Sequence, residues 1–212
     1  ILKSAIKNNT MVYRAIGLMS DSSLDGLNMA FVEFQEIGGI WSFEILKGDC
    51  YAYSDAWISE LKNADKLSAK DFLSLHIEFG HYTGQQVNKF IEENQLQYKV
   101  AVIASYGHTA FYIPENKFTV QLGDGAAIAA LTGLPVVTDF FSIDAALGGS
   151  ERSWDLLQQK FTVELGISEI NKPVLCAFMG VLRWREEYNV FAAESGASRN
   201  TVGGALWMGQ DA

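Results

Sequence analysis

The stretch from Val12 to Gly26 constrains the chain most. A mostly apolar run, Val12 to Leu18, enters a turn of small hydroxyl and carboxylate residues, Ser20-Asp21-Ser22-Ser23-Leu24-Asp25-Gly26. Such a run suits a strand buried on both faces. Leu27 to Phe34 and Ile40 to Leu46 follow; in the latter Trp41, Phe43 and Ile45 alternate with Ser42 and Glu44, and Gly38-Gly39 supplies the turn between the two. Three successive antiparallel strands are expected, with Trp41 and Phe43 buried, as Phe72 and Phe79 further along are expected to be. Serine hydroxyls and the backbone N–H groups around them can cradle phosphate oxygens, and a nearby aspartate can hold the accompanying magnesium. Spacing alone equally allows an ordinary hairpin turn rich in Asp, Ser and Gly.

With 212 residues, 49% of them hydrophobic and 19% charged, the chain can bury a substantial core in one or two domains. A formal net charge of -9 without a basic stripe argues against nucleic acid or an anionic membrane as partner. Cys50 and Cys176 lie far apart in apolar surroundings, so they are expected to be reduced core residues of a cytoplasmic protein. No apolar run is long enough to span a bilayer, and residues 1–10, with Lys3 and Lys7, lack the apolar core of a signal peptide.

Beyond a linking segment, Ser54 to Ala64, the pair Ser68 and Asp71 has capping-box spacing. Phe72, Leu75, Phe79, Val87 and Phe90 then recur at near-helical intervals, predicting an amphipathic helix to about Glu93. His76 and His81 are five apart, which does not align two metal ligands on one helical face; both are expected at the edge of a packed helix. Lys99 to Ser105 reads as a parallel strand beside the first, with Tyr106-Gly107-His108-Thr109 at its carboxyl end, where ligands of α/β sheets bind. Spacing leaves His108 open either to such a role or to capping the strand. Phe118 to Leu122, a short helix from Ala126 to Leu131 ended by Gly133 and Pro135, and a strand from Val136 to Asp139 complete this half. A last helix carries Val174, Leu175, Phe178, Val181 and Leu182 on one side, with Pro173 in its first turn.

Tyr13 to Gly26 resembles the opening of the anhydro-N-acetylmuramic acid kinases, whose signature is Met-Ser-Gly-Thr-Ser-Leu-Asp-Gly; Asp21 stands where the family has glycine. Gly107-His108-Thr109 is similar to the family's Gly-His-Thr or Gly-Gln-Thr, with Tyr106 in place of a histidine. Gln121 to Gly125, Thr132 to Val137 and Asp139 to Gly149 match the family pattern in order, except that Phe141 replaces an arginine. At Gly149 the likeness passes to the family's carboxyl end. Ser150 to Glu169 resembles a helix and strand close to that end, and Asn171 to Gly204 its last helix and tail, with Pro173 where a glutamate is usual and Ser195 to Arg199 matching Thr-Gly-Ala-Ser-Arg.

The resemblance implies an α/β fold, an actin-like ATPase (ribonuclease H-like) lobe whose mixed sheet opens with a three-stranded antiparallel meander and is flanked by helices. Residues 11–149 would form the N-terminal lobe with the phosphate loop, and residues 150–212 a carboxyl-terminal segment packing back on it or belonging to an incomplete second lobe. ATP and Mg2+ are the implied cofactors. Ser20, Asp21, Ser22, Ser23, Asp25 and Gly26 would serve the nucleotide, Asp25 holding the metal through water. His108, Thr109 and Asp144 would face the amino sugar. The implied reaction is phosphorylation of 1,6-anhydro-N-acetylmuramic acid with ring opening by an activated water, and a homodimer is compatible with it. The family's water-activating aspartate has no counterpart in these residues, and Asp21, Phe141 and Pro173 depart from family site positions. A non-catalytic relative, acting as a binding or assembly module, is the second expectation.

Overall fold

The structure, a computed structural model, describes residues 10–140, 142, 145, 172–190 and 205–207. β1 (Met11–Ser20), β2 (Gly26–Ile37) and β3 (Ile40–Ala52) form the expected antiparallel meander. β4 (Val102–Ile113) pairs with β1 in parallel from Ala15↔Val102 onward. β6 (Val136–Thr138) adds in parallel to β4, and β7 (Ala205–Trp207) antiparallel to β6. The sheet order is therefore β3-β2-β1-β4-β6-β7, with β5 (Phe118–Leu122) paired antiparallel to the far half of β4. This mixed sheet, flanked by helices, is the actin-like ATPase arrangement.

Each face of the sheet buries its own core, because successive side chains of β1 point to opposite sides. Ile16 and Leu18 face a cluster with Leu27, Phe31, Phe79, Phe90, Ile103 and Ile128. That side is covered by α1 (Asp55–Lys62), α2 (Ala69–Glu93) and α3 (Gly125–Thr132). Tyr13 and Ala15 face Phe34, Val102, Ala104, Val174 and Phe178, under α4 (Lys172–Val190). α4 lies so close that a Cβ on Gly17 would stand 1.7 Å from the Pro173 carbonyl oxygen, and one on Gly180 would stand 2.4 Å from the Ala104 Cβ. Small residues at both places let helix and sheet touch.

Several expectations need correction. The segment from Ser54 is no mere linker: Ser54 caps α1 by accepting the Trp57 N–H, and Leu61 of that helix is buried. Of the four aromatic residues expected inside, Phe79 is buried, whereas Trp41, Phe43 and Phe72 are only half-buried. Trp41 and Phe43 sit on β3, which ends the sheet, and pack beside Phe178 and Phe34. A bulge places Leu46 between the pairs Phe31↔Lys47 and Val32↔Ile45, which reverses the alternation and leaves Ile45 exposed. Cys176 is buried, but Cys50 lies exposed on β3.

Ser68 caps α2 as its spacing suggested, its hydroxyl accepting the Asp71 N–H at 3.2 Å, while the reciprocal bond runs from that hydroxyl to the Asp71 carboxylate at 2.7 Å. Ser68→Ala should cost about 1 kcal/mol, read as a melting temperature lower by about 2–4 °C for a chain of this size. Among the described residues no helix is long and apolar enough to cross a membrane.

Candidate functional site

β1, β4 and β6 run parallel, so their carboxyl ends share one edge of the sheet, and the candidate groups gather there. The turn after β1 closes through the Leu24 N–H on the Asp21 carbonyl at 3.2 Å. Leu24 takes a left-handed φ of 56° with its side chain packed against the α2-side core. Ser22 and Ser23 are exposed; Asp21 accepts the Ser22 N–H at 2.7 Å, and Asp25 accepts the Ser23 hydroxyl at 2.8 Å. The Asp21 carboxylate also pairs with the Lys172 ammonium at the start of α4. Burial alone would raise the Asp21 pKa, but Lys172 and the Ser22 N–H together hold it below the usual carboxylate value.

The other expected nucleotide residues sit deeper. Ser20 is 2% exposed, its hydroxyl accepting from the Tyr53 hydroxyl at 2.8 Å and lying 3.0 Å from His108 Nδ1. The arrangement that leaves neither buried hydroxyl proton unpaired runs from Tyr53 to Ser20 to His108, which puts the imidazole proton on Nε2. Burial pushes the His108 pKa down, outweighing the Ser20 backbone and Asp21, so the ring is neutral near pH 7. Gly26 is buried against β3, where a Cβ would stand 2.6 Å from the Tyr51 carbonyl oxygen and 2.7 Å from the Cys50 sulfur.

β4 does not stop at Ser105 as its sequence suggested. It bends at Gly107 (φ 77°), where a Cβ would stand 2.4 Å from the Leu122 carbonyl oxygen, and continues to Ile113. His108 thus lies inside the strand, 6% exposed. Thr109 is half-buried, its hydroxyl donating to the Tyr106 hydroxyl at 3.3 Å. Asp144 and Phe141 lie outside the described residues, as does Ser195 to Asn200.

Beside this bend opens a cavity of about 310 Å³. It is lined from β4 by Ser105, Tyr106 and Gly107, from the β5–α3 connection by Gly123 and Asp124, by Thr138 at the end of β6, and by Asp139 and Ser142 beyond it. The Asp124 carboxylate accepts the Ala126 and Ala127 N–H groups and so caps α3, while Asp139 accepts the Ser142 hydroxyl. Among the described residues no cluster of three His, Cys, Asp or Glu could hold a metal by itself.

His108 and Thr109, expected at the sugar, are not among the residues that line this cavity, whereas Asp124, Asp139, Ser142 and His76 line it without having been assigned to the site from the sequence. His76 reaches the cavity from α2, and its Nδ1 accepts the Gly123 N–H at 3.2 Å. Its place on the helix stripe beside Phe72 and Phe79 shows only that it would be half-buried; nothing in the spacing ties it to Gly123.

Comparison with known proteins fits this architecture. The family model for anhydro-N-acetylmuramic acid kinase matches residues 13–152, well over half of the chain. The chain belongs to that family. It is 35% identical over 139 residues to the anhydro-N-acetylmuramic acid kinase of Sulfurimonas denitrificans, covering 63% of this chain and 37% of that protein. The corresponding enzyme of Pseudoalteromonas translucida is 32% identical over 161 residues, 70% of this chain and 39% of the relative. That of Picosynechococcus is 35% identical over 142 residues, 64% and 37% of the two chains. The chain thus spans somewhat under two fifths of the curated relatives it matches. The matched kinase region includes the turn, the β4 bend and the loop carrying Asp124.

Proposed function

We propose that this chain provides the nucleotide turn and the sugar cavity of an ATP-dependent kinase acting on 1,6-anhydro-N-acetylmuramic acid. The observation that carries the reading is the placement of both features on one sheet edge, joined through Ser20 and His108. Charge divides the work between them. Asp124 and Asp139 line the cavity and would repel a polyphosphate, yet carboxylates are good acceptors for sugar hydroxyls. The turn offers exposed Ser22 and Ser23 and has the Lys172 ammonium beside it. Asp25, exposed and next to these serines, would hold magnesium through water, and the ion would neutralise phosphate charge. His108 and Thr109 follow the lining residue Gly107 on β4 without lining the cavity themselves, and Thr109 donates to the Tyr106 hydroxyl, whose residue does.

Titration calorimetry of the 212-residue protein should show binding of magnesium-ATP and of the anhydro sugar. Turnover at ordinary kinase rates is not expected, because the family's water-activating aspartate has no counterpart here and a general base typically contributes about 10²–10⁴-fold. Absence of both binding signals would overturn the reading. Sugar-dependent ADP release at ordinary rates would overturn the second part. A non-catalytic binding module is the other reading, favoured by the Asp21–Lys172 pair, which places a carboxylate and its counter-ion where the family has glycine.

A further inference from the structure

We propose that His76 is a ligand-contacting residue of the cavity, using one ring nitrogen to hold the Gly123 N–H and donating the proton of the other to an acceptor oxygen of a bound sugar. This rests on the reading of the cavity as a sugar site.

His76 grips two successive residues of the loop that forms the cavity wall. Its backbone carbonyl accepts the Asp124 N–H at 3.1 Å, and its Nδ1 accepts the Gly123 N–H at 3.2 Å. The close approach needs Gly80 one turn later, where a Cβ would stand 2.7 Å from the Asp124 carbonyl oxygen. It also needs Gly123 at a φ of 117°, which side-chain-bearing residues rarely adopt. An amide N–H can only donate, so Nδ1 must be the unprotonated nitrogen and the neutral ring carries its proton on Nε2. Burial lowers the His76 pKa, outweighing the Asp124 carboxylate and the Gln121 carbonyl, so the neutral form prevails near pH 7.

The chemistry of the wall makes this donor useful. Asp124 and Asp139 supply acceptors for ligand hydroxyls, but ether and carbonyl oxygens of a sugar need donors. The Gln121 backbone carbonyl also hydrogen-bonds the ring, and with Nδ1 accepting from Gly123 it can take only the Nε2 proton. His76 and Gln121 both line the cavity, so a ligand oxygen there would share that proton with Gln121 or displace it.

Two substitutions separate the two nitrogens. In His76→Asn the side-chain oxygen can replace Nδ1 as acceptor for Gly123, but nothing replaces Nε2–H. In His76→Gln the amide nitrogen reaches toward the Nε2 position while the bond to Gly123 is lost. Measured by calorimetry with 1,6-anhydro-N-acetylmuramic acid, His76→Asn should weaken binding about three- to tenfold, the range for one hydrogen bond. Its melting temperature and magnesium-ATP affinity should stay at wild-type values. His76→Gln should lower the melting temperature and keep more of the sugar affinity than His76→Asn. Should neither variant fold, the ¹⁵N shifts of the wild-type imidazole decide: Nδ1 should be unprotonated, and Nε2 should move on saturation with the sugar. Wild-type sugar affinity in His76→Asn, or an Nε2 unmoved by saturating sugar, overturns this proposal alone. A wild-type protein that binds no anhydro sugar overturns the reading of the cavity and this proposal with it.

Discussion

Gly17→Ala is expected to lower stability by about 3 kcal/mol, at the upper end of what overpacking costs. The added Cβ would stand 1.7 Å from the Pro173 carbonyl oxygen and 2.8 Å from the Ala177 nitrogen, and both are backbone atoms that cannot rotate away. Gly17 has no left-handed φ, so the loss would come from contact and not from backbone strain. α4 would have to lift from the sheet, exposing Val174 and Phe178, which are buried against it. For a chain of this size the loss corresponds to a melting temperature lower by about 6–12 °C. Gly48→Ala is the control: its Cβ would meet only the Met29 carbonyl oxygen, at an ordinary 3.6 Å, and stability should hardly change. Equal melting temperatures for the two variants would show that α4 does not dock at Gly17.

The second large effect is expected at the nucleotide turn. Asp21→Gly should tighten magnesium-ATP binding about tenfold. A carboxylate about 4 Å from a phosphate charge costs roughly 1 to 4 kcal/mol between bulk-water and near-surface screening, and each 1.4 kcal/mol or so is tenfold in affinity. Lys172 already offsets part of that repulsion, which places the expected effect near the low end. The substitution would also release the Lys172 ammonium to face phosphate. Lys172→Met should accordingly weaken binding, and Asp25→Ala should weaken it only when magnesium is present. All three effects should shrink as salt is raised, since these groups are partly exposed. Identical affinities in the four proteins would leave the turn a hairpin with no nucleotide role.

How far the sequence disclosed this structure depended on how local each cause was. The meander was legible because β1 and β2 are apolar runs and Gly38-Gly39, both at positive φ, join β2 to β3. α2 was legible from Phe72, Leu75, Phe79, Val87 and Phe90. The reversal at Leu46 was not, since a bulge depends on two strands together. Nor was the length of β4: Gly107 resembles a strand end but serves as a bend within one. At the site, the exposed serines of the turn could be read directly. The chain from Tyr53 through Ser20 to His108 joins residues 33 and 88 positions apart, and the Gly123–His76 bond spans 47. Such pairings are created by sheet order and helix docking, which no short window of sequence contains.

β3 ends the sheet, and among the described residues its outer backbone groups have no partner strand. The N–H and C=O groups on the outer side of this 13-residue strand, borne by about every second residue, would invite a strand of another molecule, the more so because Ile37 and Ile40 are exposed at the hairpin tip. The edge carries its own deterrents. The bulge at Leu46 breaks the straight ladder that an incoming strand would need, and Glu44, Lys47 and Asp49 set charges on both sides of that break. A kink and three charges thereby keep a necessary open flank from becoming a template for aggregation.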